Sequence, residues 1–182
     1  MSKEHQHSQE EESKDLKPFI HQSDNFISAY FGKLPEHLLG EKQKNDDKQL
    51  FANFIQLLTD SRNHDVRNEV LAVLKKNKST DLLLELISRK EYQKHRKELV
   101  AACWESGLDF SKHLETFVDL ALNETFEVCL EAYTVIDNME GPFEKGDIEK
   151  IHNKLKDYKK EEDKSSIIDM IRMKMQHILF ST

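Results

Sequence analysis

The chain is poor in the features on which most catalytic and secreted proteins are built. Its two cysteines, Cys103 and Cys129, are too few for a disulfide framework, and no Cys-x-x-Cys spacing offers a metal clip. Its five glycines are scattered, so no Gly-x-Gly-x-x-Gly loop is present to cradle phosphates. No apolar run approaches the ~18–20 residues of a membrane span. The opening Met1-Ser2-Lys3-Glu4-His5 lacks the apolar centre of a secretory signal, which leads to the expectation of a cytoplasmic protein. A basic surplus is also missing. The formal net charge is −7, which argues against nucleic acid as the partner, because neutralising phosphates calls for clustered Lys and Arg. The middle of the chain does hold Lys75, Lys76, Lys78, Arg89, Lys90, Lys94, Arg96 and Lys97. Asp81, Glu85, Glu91 and Glu98 interleave with them, which reads as a mixed solvated face.

Strand-like alternation is absent as well, and in its place runs helical periodicity repeated about every 30 residues. The units are about 50–76, 80–107 and 111–139. In the first helix of each unit, Phe54, Ile55 and Leu58 correspond to Leu83, Leu84 and Ile87 at an offset of 29. Leu84 and Ile87 then correspond to Leu114 and Phe117 at an offset of 30. In the second helix, Val70, Leu71, Val73 and Leu74 match Leu99, Val100, Ala102 and Cys103, then Cys129, Leu130, Ala132 and Tyr133. The cysteines thus sit on apolar stripes and read as buried thiols, with a disulfide as the alternative. Helices of about three turns are unstable alone and must bury their stripes on neighbours. Ser79, Asp81, Asp109 and Ser111 are placed to cap helix starts, Gly107 to close a helix end, and Gly141-Pro142 to break the chain.

The segment from Leu57 to Leu71, with Asp60 ahead of the turn and Val66-Arg67 after it, resembles the inter-helix turn of HEAT and HEAT-like repeats, in their short variety as in bilin lyases. The resemblance implies a right-handed α-α superhelix. It also implies that Asp60 and Arg67 bridge repeats by hydrogen bonds; the second unit keeps Arg96 but has Arg89 in place of the Asp. The resulting expectation is an all-α chain in three parts. Residues 1–17 form a disordered acidic tail, 18–48 an N-terminal helical cap and linker, and 49–182 the repeat domain with a divergent last pair at 144–180. That last pair carries Ile148, Ile151 and Leu155, then Ile167, Ile168, Ile171 and Met175, with Met170 and Met173 widening the stripe.

Candidate chemistry is sparse. The histidines show no His-Glu-x-x-His and no repeated His-Glu pair of the kind that holds di-iron in the helical-repeat deoxyhypusine hydroxylases. No serine sits in a Gly-x-Ser-x-Gly elbow. No catalytic residue, metal ligand or cofactor is therefore assigned. The reading is a non-catalytic scaffold or adaptor that presents its second helices to an unidentified protein partner. Arg67, Lys75, Arg96, Lys97, Trp104 and Thr134 are the expected contacts on a concave face, and Trp104 is the anchor. The alternatives are an enzyme or accessory factor on the same repeats (lyase-like or alkylpurine-glycosylase-like), and a nucleic-acid binder.

Overall fold

The computed structural model describes residues 55–59, 64–158 and 162–181, and among them every regular element is helical, with no strand. The expected tail at 1–17, the cap at 18–48 and Asp60 lie outside the described residues. The chain divides into two compact units, Met1–Ser79 and Thr80–Thr182, so the break falls inside the stretch expected to be a single repeat domain.

In the first unit, a helical segment over 55–59 precedes α1, His64–Lys76. Ile55, Leu57 and Leu58 are buried on the first, and Val70, Leu71 and Leu74 on the second. A guanidinium nitrogen of Arg67 donates to the carbonyl of Leu58. The helix ends in a Schellman motif: Ser79 N–H reaches Leu74 O at 3.0 Å and Lys78 N–H reaches Lys75 O at 3.1 Å. Lys78 occupies the left-handed position with φ 51°, where a side chain is strained. The Ser79 hydroxyl is buried without a hydrogen-bond partner, so it does not make the cap expected of it.

The second unit contains three helical pairs. α2 (Thr80–Ser88) leads through a 3-10 segment, Lys90–His95, into α3 (Arg96–Glu105). A short 3-10 turn, Ser111–His113, opens α4 (Leu114–Asn123), which pairs with α5 (Phe126–Asp137). α6 (Lys145–Asp157) and α7 (Ser165–Ser181) complete the order. Each helix packs on its pair-mate. The second helices also meet in sequence, α3 on α5 and α5 on α7, while α4 meets α6. At 9 residues α2 cannot persist by propensity. Burial of Leu82, Leu83, Leu86 and Ile87, roughly 1.5–3 kcal/mol for each side chain, holds it. Phe110 and Phe117 meet edge to face at 5.4 Å inside the same core.

Cations close the first helices of the pairs. Arg96 Nε donates to Ile87 O at 3.0 Å, repeating nine residues apart the bond that Arg67 makes to Leu58. Lys164 Nζ donates to Leu122 O and Glu124 O at 3.1 and 3.0 Å, and Arg172 Nε to Leu155 O at 3.1 Å. A helix C-terminus carries orphan carbonyls and partial negative charge, so positive groups stabilise it twice over.

Leu130 departs from the expected register: it is exposed, whereas its counterparts Leu71 and Val100 are buried. A six-residue 3-10 segment, Lys90–His95, lies between α2 and α3, whereas only Glu124 and Thr125 separate α4 from α5. Met170 and Met173, expected to widen the core stripe of α7, are also exposed.

Candidate functional site

The expected contact residues separate once placed. Arg67 and Lys75 belong to the first unit, the former half-buried on the Leu58 carbonyl and the latter exposed in the last turn of α1. Arg96 is a correction. It is 8% exposed, and its guanidinium is held between Ile87 O and the Glu124 carboxylate of the next pair. Desolvating an arginine is tolerated only when its donors are matched, and here they are matched within the fold, so Arg96 links pairs instead of facing a partner. The link runs from Arg96 to Glu124; the Asp60 side of the bridge that the repeat resemblance implied lies outside the described residues.

Lys97 and Trp104 lie on α3 and Thr134 on α5, and these two helices pack on each other. Trp104 is 39% exposed, yet its Nε1 donates to Glu131 Oε2 at 2.9 Å, which fixes the indole across the two helices. Thr134, three residues beyond Glu131, returns its hydroxyl to Leu130 O at 3.0 Å. One turn earlier, Glu127 is held below the usual carboxylate range by hydrogen bonds from its own N–H and the Thr125 hydroxyl, and Lys97 adds a smaller attraction. Donors on α3 thus face acids on α5.

Beside Trp104 opens a cavity of about 410 Å³, formed where the linker after α3 meets the linker after α5. Cys103, Trp104, Gly107, Leu108 and Phe110 line it from the α3 side, and Val135, Asn138 and Met139 from the α5 side. Its charged lining residues are Asp109 and Glu140, both acidic. Burial pushes the Cys103 thiol well above its ordinary pKa, so this sulfur is a packing group and not a nucleophile. Cys103 and Cys129 are both buried and reduced.

Local chemistry makes this rim rigid. Gly107, at φ 62°, ends α3 and donates to Trp104 O at 3.2 Å. Ser106, buried behind it, relays a hydroxyl between Leu108 N–H at 3.3 Å and Cys103 O at 2.9 Å. Asp109 accepts from Ser111 N–H at 2.9 Å and Ser111 Oγ at 2.6 Å. These two bonds hold its carboxyl below the usual range, with Lys112 and His113 adding smaller attractions. Gly141 N–H in turn donates to Ser111 Oγ at 3.2 Å, so both linkers are pinned to one serine. Gly141 has φ +88°, and a Cβ there would meet the Phe143 ring at 3.0 Å.

Sequence reasoning missed Glu131, Glu140 and Ser111 as parts of this site. Glu131 is 27 residues from Trp104 and Gly141 is 30 from Ser111, so the repeat spacing was the available signal. Among the described residues, no three His, Cys, Asp or Glu side chains converge as a metal site, and no helix is long and apolar enough to cross a membrane. Comparison with known proteins finds no match, whether to a protein family, a curated protein or a solved structure.

Proposed function

We propose that the chain is a short HEAT-like helical-repeat module that acts as a non-catalytic scaffold, offering its second-helix layer to a partner protein. One observation carries this reading. The large apolar side chains left exposed among the described residues are Trp104, Phe126, Leu130, Met170, Met173 and Phe180. All of them lie on α3, α5 or α7, which pack in sequence, and none on α2, α4 or α6. Scattered exposed apolar residues carry no meaning, but their segregation to one layer is the pattern of an interaction surface. The pairwise packing order and the Arg67/Arg96 bonds repeated at the same spacing support the repeat reading and, with it, a solenoid arrangement.

The test compares capture of partners from the native cell by the wild type and by two double variants. Leu130→Asp with Met173→Asp alters the second-helix layer. Thr116→Asp with Lys150→Gln alters exposed positions on the first helices α4 and α6 and changes the net charge by the same amount. Both must match the wild type in circular dichroism. Loss of a captured protein with the former alone supports the reading. Retention of every captured protein by the Leu130/Met173 variant, or equal loss with both, overturns it.

A further inference from the structure

We infer that the cavity beside Trp104 receives the cationic side chain of a basic segment in the partner protein, with arginine as the preferred occupant. The inference rests on the scaffold reading above and assigns the chemistry of the partner. Three observations converge on it. The cavity is bounded by an indole that is exposed but held in place by Glu131, so an aromatic face is available without an ordering cost on binding. Its two charged lining residues, Asp109 and Glu140, are acids, and Asp109 is kept ionised by its bonds to Ser111. The lining comes from the C-terminal ends of α3 and α5, where the helix dipoles add negative potential.

An anionic rim beside an indole, around a pocket of mixed polar and apolar lining, repels acidic peptides and favours a cation. It matches a flat, weakly hydrated guanidinium, which stacks on an aromatic face while donating to carboxylates. Lysine brings the same charge as a compact, strongly hydrated point and fits the indole less well. At about 410 Å³ the space holds one long side chain with its flanking backbone, not a folded element. The overall charge of −7 adds long-range attraction for a basic partner.

The chain's one tryptophan provides the readout, because all indole emission comes from Trp104. The full chain is titrated with acetyl-Leu-Gly-Arg-Gly-Leu-amide and with the same peptide bearing citrulline, which is isosteric and uncharged. A saturable change in Trp104 emission is expected, at least ten-fold weaker for citrulline and several-fold weaker for lysine. Glu140→Gln should weaken the arginine peptide about five-fold or more, whereas Glu149→Gln on α6 should leave it unchanged. No saturable response, an equal response to citrulline, or equal weakening by Glu149→Gln overturns the inference. If the peptides fail while partner capture still depends on Leu130 and Met173, only the assigned chemistry falls. If both fail, the scaffold reading falls too.

Discussion

Replacing Arg96 by Met should destabilise the second unit by about 2–4 kcal/mol, as follows from its two bonds. Nε donates to Ile87 O at 3.0 Å, a charge-assisted hydrogen bond to an otherwise orphaned helix-end carbonyl. Such bonds contribute about 1.5–3 kcal/mol. The second bond is the ion pair with Glu124, whose side chains are 10% and 21% exposed. Cutting a fully buried pair costs about 3–5 kcal/mol, but that figure already contains hydrogen bonds of the same head group and Glu124 keeps some access to water once its partner is gone, so the two contributions overlap and the total lies below their sum. Methionine retains most of the stem's packing, which confines the loss to the polar head. For a unit of this size the expected fall in Tm is roughly 10–20 °C. Urea unfolding followed by Trp104 emission reads this unit, since the only tryptophan lies in it. A double-mutant cycle with Glu124→Gln should give a coupling of about 1–3 kcal/mol. The bond from Lys164 to the Glu124 backbone carbonyl is untouched by that substitution. An Arg96→Met protein within about 0.5 kcal/mol of wild type, or a coupling of zero, would refute the structural role and return Arg96 to the surface contacts.

Two further outcomes follow from the backbone and from charge. Lys78→Gly should raise the stability of the first unit by about 0.5–1 kcal/mol, because glycine relieves the left-handed position of the Schellman motif. Gly107→Ala at φ 62° should lower that of the second unit by a similar amount; thermal unfolding that shows the same sign for both would refute the assignment. Asp109 has its folded pKa depressed, first by the Ser111 hydroxyl and then by the Ser111 N–H, so its contribution is complete above the ordinary carboxylate pKa of about 4 and disappears as pH falls through the folded value. The stability gap between wild type and Asp109→Asn should therefore be present at neutral pH and close on acidification. A gap that stays constant in urea titrations at successive pH values would show that the carboxylate charge is not the cause.

What the sequence makes legible is what periodicity encodes. Leu58, Ile87 and Phe117, or Val70, Leu99 and Cys129, recur at one spacing because every pair must cover the same stripe, and all six are buried. Periodicity fails where one repeat has a neighbour that another lacks. Val100 is buried and Leu130 exposed although they hold the same register, and the connections that precede them differ, a six-residue helical segment between α2 and α3 against two residues between α4 and α5. It fails again where a side chain finds its partner outside its own unit. Arg96 stands in register with Arg67, but the fate of its guanidinium is set by Glu124, 28 residues on and outside its own helical pair. The cavity is the extreme case. Its walls come from the last turns of α3 and α5 and from the linkers after them, Gly107–Phe110 and Asn138–Gly141, which share no pattern and are joined through Ser111. Repeats hold their stripes constant because stacking requires it, and leave their linkers unconstrained for the same reason. Any recognition chemistry in such a chain is free to collect in the linkers, and there the acids around Trp104 stand.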